Sequence, residues 1–171
     1  MATTYKLISS STVGSGGATS VSLSSIPGTY TDLLVKVSAR IDNANGGMFV
    51  KLNNTSSNYV SYRINVDSGS LQGSTGSTSS FFMWATGTWA TASAFNNSEM
   101  YISNYTSSNH KSVIIDSVNE NNASSIYAAG FIAGKWTNSS VVTSIDFTPE
   151  GAGSPKFDQY STFYVYGIKN S

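Results

Sequence analysis

The chain has 171 residues with 9 Lys+Arg and 9 Asp+Glu, so its formal net charge at pH 7 is zero. Only 11% of the residues are charged, and the cations are scattered singly, which excludes the basic surface that a nucleic acid or a polybasic membrane anchor requires. Cysteine is absent, so we expect no disulfide framework and no thiolate metal site. Ser, Thr and Asn make up 65 of the 171 residues, but 10 Tyr, 8 Phe and 3 Trp favour an ordered, turn-rich fold over disorder.

No segment of the sequence predicts export or a membrane span. The chain begins MATTYKLISSSTVGSGG, without the basic stretch and apolar core of a signal peptide. No apolar run approaches the roughly 18 residues that a membrane-spanning helix requires. We therefore expect synthesis in a cytoplasm, no membrane insertion, and any later export by another route, such as incorporation into an assembled particle.

An alternation of apolar and polar residues with a period of two predicts β-strands. Between Asp32 and Ile41, one side carries Leu33, Val35, Val37, Ala39 and Ile41, and the other carries Lys36, Ser38 and Arg40. The segment GMFVKLN then directs Met48, Val50 and Leu52 inward and Lys51 outward. Because the connecting DNANGG is rich in residues that tolerate a positive φ, residues 32–52 predict a β-hairpin.

The same alternation continues along the chain. Tyr59–Val66 has Val60, Tyr62, Ile64 and Val66 on one face and Ser61, Arg63 and Asn65 on the other. The further predicted strands are Tyr5–Ser9, Ser20–Ser25, Phe81–Thr86, Met100–Ser103, Ser112–Val118, Ile126–Ala133, Val141–Phe147 and Thr162–Lys169. The longest turn-rich segment, Asp67–Ser80, is expected to be a surface loop.

These patterns together predict an all-β fold. No window shows the spacing of an amphipathic helix. About eleven short strands separated by turns are typical of an antiparallel β-sandwich of the jelly-roll type. We expect one domain over residues 1–171, in which residues 1–18 form a partly extended N-terminal arm.

Residues with the chemistry of catalysis or metal binding are few and scattered. The single histidine, His110, lies in a predicted turn, and no G-x-S-x-G motif supplies a nucleophile. The nine carboxylates are not spaced as a glycosidase pair. The oxygen-rich segments DNANGG and DSVNENN lack the residues of a calcium loop. We therefore expect no catalytic residues, no metal and no cofactor.

Aromatic residues are the remaining candidates for binding. The segment FFMWATGTWATASAF gathers Phe81, Phe82, Trp84, Trp89 and Phe95, and FYVYG places Tyr164 and Tyr166 on the face opposite Phe163 and Val165. Exposed rings of this kind stack on a sugar or pack against a neighbouring subunit. If both faces of the last strand are covered, its tyrosines belong to the core, and core or subunit interface is favoured over a sugar site. The candidate contact residues are Trp84, Trp89, Tyr164 and Tyr166.

Residues 25–64 carry a more specific pattern, in which SIPGTYTDLLVKVSAR is followed by a turn and then by FVKLNNTSSNYVSYRI. This pattern resembles a recurring module in virion proteins of tailed bacteriophages, particularly those of marine hosts. In that module I-P-x-x-Y-x-x-L opens an alternating strand that ends in Ala-Arg, and a later strand leads through an Asn-Gly-Asp-like turn to Asn-Tyr. The matching residues are Ile26, Pro27, Tyr30, Leu33, Ala39, Arg40, Asn53, Asn58 and Tyr59. Here Asn54 and Thr55 replace the family's Gly-Asp, which puts an acidic or metal role of that turn in doubt.

The resemblance implies a β-sandwich found on phage fibres, tail tips and capsid surfaces, without catalytic residues. We expect a non-enzymatic structural protein on the virion surface, a capsid decoration or accessory protein in contact with other capsid or tail proteins. A homotrimer is expected, because three copies can bury edge strands that otherwise pair without control. The alternative is a tail-fibre or tail-tip adhesin that binds host-surface polysaccharide, and a polysaccharide-degrading enzyme ranks last.

Overall fold

The structure is a computed structural model and describes residues 4–67, 70–122 and 128–169. These residues form no helix and twelve strands: β1 (Tyr5–Thr12), β2 (Val21–Leu23), β3 (Asp32–Ser38), β4 (Gly47–Leu52), β5 (Tyr59–Asp67), β6 (Ser70–Thr75), β7 (Phe81–Trp84), β8 (Asn97–Ile102), β9 (Lys111–Asn119), β10 (Ala128–Trp136), β11 (Ile145–Pro149) and β12 (Thr162–Ile168). Neighbouring strands pair antiparallel. The predicted all-β class is confirmed, with one strand more than the eleven expected.

The strands form two sheets with the hydrophobic core between them. The large sheet has eight strands in the order β1-β12-β3-β8-β9-β10-β5-β6, and the small sheet has four in the order β2-β11-β4-β7. Residues that alternate along the strands fill the core, as Leu33, Val35 and Val37 do on β3 and Met48, Val50 and Leu52 do on β4. The predicted antiparallel β-sandwich is confirmed, and jelly-roll connectivity stays a prediction.

Two glycines on β10 set how closely the small sheet approaches the large one. A Cβ on Gly134 would lie 2.6 Å from the Phe81 ring, and a Cβ on Gly130 would lie 2.6 Å from Nε1 of Trp84. Both rings belong to β7 and press on the inward face of β10. Phe81 also meets Tyr59 edge to face, with the ring centroids 4.9 Å apart. Aromatic rings packed on a glycine-lined strand therefore join the two layers.

The predicted hairpin over residues 32–52 is wrong. β3 pairs with β12 and β8 in the large sheet, whereas β4 pairs with β11 and β7 in the small sheet. The chain between them crosses the sandwich, and on the way Ile41 bridges to Phe157 and Arg40 bridges to Thr86. Ala39 and Ile41 are fully buried beyond the end of β3. The apolar–polar alternation therefore continues past the end of β3. For this reason the sequence does not show where the chain leaves the large sheet and crosses to the small one.

The alternation predicted for β5 is confirmed, but its apolar face points to solvent. Ser61 and Asn65 are buried, while Val60, Tyr62 and Ile64 are 46%, 64% and 57% exposed. The reason lies in the two glycines of β10. The Cβ of Ser61 is 3.4 Å, and that of Asn65 3.5 Å, from the Cβ position of the adjacent glycine, where the rings of β7 already fill the space. Only short side chains fit there, so the apolar residues face outward.

The segment Asp67–Ser80, expected to be a surface loop, contains the twelfth strand. Residues 68 and 69 lie outside the described residues. β6 pairs with β5, where Leu71 lies opposite Val66 and Thr75 lies opposite Tyr62. Every residue of β6 is exposed. Because backbone pairing to the edge of β5 holds this strand, no apolar alternation marks it in the sequence.

The remaining strands lie close to their predicted positions. The strand predicted over Val141–Phe147 begins later, at Ile145, and the first two residues of the one predicted over Ile126–Ala133 fall outside the described chain. Near the N-terminus, β1 pairs with β12 at the edge of the large sheet. An arm formed by residues 1–18 stays a prediction.

Replacing Gly134 with Ala should destabilise the fold by about 1–3 kcal/mol, because the new methyl group would overlap the buried ring of Phe81. The matched control is Gly14→Ala, since a Cβ on Gly14 meets nothing within 4 Å. Urea unfolding followed by tryptophan fluorescence gives the free energy of unfolding of each variant. Equal destabilisation by the two substitutions would contradict the close contact between the layers.

Candidate functional site

The large sheet has one face on the core and another, here called the outward face, directed away from the small sheet. Strand alternation decides which residues project outward. On β9 burial alternates at every residue, so Ile114, Asp116 and Val118 lie on the outward face. Residues directly opposite on adjacent strands share a face, and the strand register therefore extends this assignment across the sheet.

Large apolar side chains are concentrated on the outward face. Of the eleven that are well exposed in the described part of the chain, nine lie there, and Val141 and Tyr160 are the other two. Seven of the nine lie on β9, β10, β5 and β6 and are here called the apolar patch: Val60, Tyr62, Ile64, Leu71, Ile114, Val118 and Phe131. A sheet face in water normally carries polar side chains. A patch of this kind therefore marks an interaction surface.

The strand register arranges the apolar patch in rows. Four rows cross β9, β10 and β5: Ser112–Lys135–Val60, Ile114–Ala133–Tyr62, Asp116–Phe131–Ile64 and Val118–Ala129–Val66. Directly opposed residues in an antiparallel pair have Cβ atoms about 4.5–5.5 Å apart. The side chains within a row are therefore in reach of one another. The row Ile114–Ala133–Tyr62, here called the central row, has Asp116 in the row on one side and Lys135 in the row on the other.

Tyrosines occupy the other half of the outward face, and we name Tyr5, Tyr101, Tyr164 and Tyr166 the tyrosine cluster. The rings of Tyr164 and Tyr166 stack with centroids 6.4 Å apart and an interplanar angle of 27°. Beside them is a groove of about 390 Å³, lined by Tyr5, Leu34, Lys36, Glu99 and Tyr166. Tyrosine combines an apolar ring with a polar hydroxyl, and this combination suits a ligand that is flat and hydroxylated.

A row of charges, Lys36–Glu99–Asp116, lies between Tyr164 and Phe131. In the next row Tyr101 lies directly opposite Ile114, so the tyrosine cluster and the apolar patch adjoin. Lys36 Nζ lies 2.5 Å from Glu99 Oε2, and Glu99 lies opposite Asp116 across β8 and β9. The hydrogen bond to Glu99 raises the pKa of the Lys36 amine. Partial burial, followed by repulsion from Glu99, raises the pKa of the Asp116 carboxyl. The sequence does not reveal this acid pair, because only the sheet register brings the two residues together.

Glu99 and Asp116 project side by side from an open face of the sheet, and Lys36 forms an ion pair with Glu99. Directly opposed residues of antiparallel strands have Cβ atoms about 4.5–5.5 Å apart. The absence of catalytic residues, expected from the sequence, stays a prediction.

Asp32 fixes one member of the tyrosine cluster. This carboxylate is 5% exposed. Its two oxygens accept hydrogen bonds from the Tyr101 hydroxyl at 2.6 Å and from the backbone N–H of Asn104 at 2.7 Å. The hydrogen bond to Asp32, with burial as the second cause, raises the pKa of Tyr101 to about 12. The Tyr101 ring is thereby held in one orientation on the outward face.

The structure places the four contact residues predicted from the sequence in two separate regions. Tyr164 and Tyr166 are half-buried on the outward face, while Phe163 and Val165 are fully buried beneath them. The two tyrosines therefore lie outside the core. A contact with a subunit or a glycan stays a prediction for both.

The two tryptophans are part of the packing around the small sheet. Trp84 meets Phe82 edge to face with the ring centroids 5.0 Å apart. Its buried Nε1 has no hydrogen-bond partner among the described residues. Trp89 covers the backbone of Gly46, where an added Cβ would lie 2.9 Å from the indole nitrogen. Neither ring joins the tyrosine cluster, and a ligand contact through Trp84 or Trp89 stays a prediction.

His110 lies in a wide polar cavity where several loops meet. The cavity has a volume of about 580 Å³ and is lined by Asn58, Ser108, Asn109, His110, Thr137, Asn138 and Ser139. The buried Lys111 amine donates to the carbonyls of Ser107 and Asn109 at 2.5 and 2.6 Å and so fixes the loop that carries the histidine. The lining offers neither an aromatic ring for stacking nor a carboxylate that would orient the imidazole.

The residues that carry the resemblance to phage modules hold the fold together. Ile26 is buried, and the Pro27 carbonyl accepts a hydrogen bond from the hydroxyl of the buried Tyr105. Tyr30 packs directly on Gly167, where a Cβ would lie 2.3 Å from its ring. The I-P-x-x-Y segment is therefore a packed connection into β3 and not a ligand site.

The later motif residues have similar structural roles. Arg40 pairs with Asp158 at 3.2 Å and donates from Nη1 to the Thr91 carbonyl at 2.9 Å. Asn53 has a φ of 52°, and its side-chain oxygen accepts from the Thr143 backbone N–H at 2.8 Å. The Tyr59 hydroxyl accepts from the backbone N–H of Leu52 at 2.8 Å. These contacts fasten loops to strands.

Comparisons with known proteins do not assign the chain. No family model matches the sequence, and no curated protein matches it. Within the described ranges, no three His, Asp or Glu side chains are grouped so that they could hold a metal ion. The same residues contain no helix capable of spanning a membrane. The resemblance of residues 25–64 to phage virion modules stays a prediction.

Replacing Asp32 with Asn should return the pKa of Tyr101 from about 12 toward the ordinary value of 10.0. A raised pKa means that the folded protein holds this proton more tightly than the unfolded chain does. The associated stability is fully present below pH 10.0 and is lost as the pH rises through about 12. The tyrosinate absorbance of the two proteins across this range measures the change.

Glu99→Gln is the matched control, because it removes a carboxylate from the same face but not the one that binds Tyr101. Its tyrosinate titration should follow that of the unmodified protein at the alkaline end. An alkaline transition that is the same with and without the Asp32 carboxylate would show that this hydrogen bond does not control Tyr101.

Proposed function

We propose that this chain is a non-enzymatic structural protein of a bacteriophage particle, displayed on the virion surface as a capsid decoration or accessory protein. The apolar patch on the outward face carries the proposal. It gives the chain a surface for contact with other proteins, and the resemblance of residues 25–64 points to the virion as the place of that contact. The homotrimer expected from the sequence stays a prediction.

The exposure of the apolar patch supports an assembly role on energetic grounds. Each Å² of apolar surface removed from water contributes about 25 cal/mol, and Tyr62, Ile64 and Leu71 are 64%, 57% and 74% exposed in the single chain. The same strand buries Ser61 and Asn65, so β5 directs its apolar residues away from the core of its own domain. A neighbouring protein that covered these side chains would remove them from water, and this burial would stabilise the assembly.

Mass spectrometry of purified virions from the phage that encodes this chain tests the proposal. We expect its peptides in intact particles at a stoichiometry comparable to that of other structural proteins, and labelling with a specific antibody should place it on the outside. The matched control is a non-structural phage protein of similar abundance in infected cells. Absence from washed particles, with presence in the infected-cell lysate, would refute a virion role.

A second candidate function is that of an adhesin which binds host-surface polysaccharide, and the groove beside the tyrosine cluster favours it. Tyr5 and Tyr166 line this groove together with the ion pair of Lys36 and Glu99. Aromatic rings stack on the apolar face of a sugar, and charged side chains fix its hydroxyls. The groove thus offers both kinds of contact that sugar recognition requires.

A glycan array with Tyr166→Ala tests this second function. We expect the unmodified protein to bind at least one bacterial surface polysaccharide and Tyr166→Ala to lose most of that binding, because the stacking surface is removed. Tyr160→Ala is the matched control, since Tyr160 is 67% exposed and lies outside the outward face. Binding that persists undiminished in Tyr166→Ala would exclude the groove as the glycan site.

A further inference from the structure

We propose that the apolar patch is covered by the apolar patch of a second copy of this chain, in a two-fold pair whose large sheets pack face to face. This inference names the partner of the surface on which the proposed function rests. Three observations carry it: the match between the rows on the two sides of the central row, the size of the face, and the opposite charges in those two rows.

Three of the four rows match one another under a two-fold rotation, and the fourth, Val118–Ala129–Val66, lies beyond the strand ends of the second copy. The rotation axis lies in the plane of the contact, perpendicular to the strands, and runs along the row Ile114–Ala133–Tyr62. Rotation about it places this row of one copy on the same row of the other. The same rotation brings the row Ser112–Lys135–Val60 of one copy over the row Asp116–Phe131–Ile64 of the other, by the register of the strands. Val60 then faces Ile64 of the second copy, apolar on apolar, as an isologous interface requires.

The charges on the two sides of the central row are complementary in this arrangement. Lys135 is exposed on β10, and it would lie over Phe131 of the second copy with Asp116 on the adjacent strand. The Lys135 amine can then pair with the Asp116 carboxylate and lie near an aromatic ring. In the single chain, Asp116 is repelled by Glu99 and attracted by Lys36. The pair would add a second cation, because Lys135 of each copy would lie near Asp116 of the other.

The face is large enough for a stable pair. β5, β9 and β10 are each nine residues long and are flanked by the shorter β6. Four strands at about 4.8 Å spacing and about 3.3 Å per residue give a face of roughly 20 by 30 Å. With its projecting side chains, such a face approaches the roughly 800 Å² that each partner contributes to a standard interface. The sheets of a β-sandwich pack about 10 Å apart in the same way.

A copy of the chain fits this face better than a partner with one sign of charge. The apolar centre is bordered by a cation on one side and an anion on the other, and the chain carries no net charge. A strongly basic or acidic partner would pair with one border and be repelled by the other. A surface that carries the same two charges in the reversed order can pair with both the cation and the anion. The two-fold rotation produces such a surface.

Sedimentation velocity of the purified full chain over a range of concentrations tests the inference. We expect a species of twice the monomer mass. Tyr62→Asp and Ile114→Asp should each raise the dissociation constant about tenfold or more, because the axis runs along their row and each new carboxylate would face the same carboxylate of the second copy. Val141→Asp is the matched control, since Val141 is 37% exposed but lies outside the outward face. Unchanged circular dichroism and thermal unfolding verify that the variants fold.

Charge reversal tests the register of the pair. Lys135→Asp should weaken the pair, because it places an acid next to Asp116 of the second copy, and adding Asp116→Lys should restore the affinity with the charges exchanged. A monomer at all concentrations, a trimer, or equal pairing by Tyr62→Asp and the unmodified chain would each overturn the inference. Failure of the double variant to recover would overturn the two-fold register. Each of these results is independent of whether virions contain the protein.

Discussion

The packing of β7 against the inward face of β10 is the contact on which the rest of the structure depends. Gly130 and Gly134 remove two side chains from the core, and the rings of Trp84 and Phe81 take their place. Beside these two glycines, the close approach leaves room only for the short side chains of Ser61 and Asn65, whereas the larger Tyr59 and Arg63 occupy the rest of the inward face of β5. Val60, Tyr62 and Ile64 project outward, and the ladder with β10 aligns them with residues of β9. A constraint inside the sandwich thus determines the chemistry of its outer surface.

That outer surface has two chemically different halves. On β1, β12, β3 and β8, tyrosines border a groove with an ion pair at its edge. On β9, β10, β5 and β6, exposed aliphatic and aromatic side chains predominate, with Asp116 and Lys135 among them. The second half suits protein partners better, because buried area and shape complementarity dominate such contacts. The first half suits hydroxylated ligands better. Because the halves are distinct, a protein could be anchored by one half while the other remains accessible.

Much of the fold follows from the alternation in the sequence, and the exceptions have physical causes. β3 and β4 were predictable because apolar residues alternate along each strand and face the core. The period of two in β5 does not show which face of the strand points inward. That orientation depends on Gly130 and Gly134 of β10, which lie far away in the sequence. The acid pair of Glu99 and Asp116 and the rows of the apolar patch likewise depend on register between distant strands. The sequence of β6 shows no apolar alternation, because this strand forms through backbone pairing with the edge of β5.

The exposed strand β6 is a part of the domain where the sequence can change with little effect on the fold. Its six residues contact the rest of the domain almost entirely through β5, so they contribute little to the cooperative unfolding of the sandwich and should be among the first amides to exchange with solvent. Residues 76–79, which follow the strand, are exposed as well. Insertions there would leave both layers intact. This margin of the domain is therefore a natural place for lineages to diversify, and for an engineer to graft a foreign epitope.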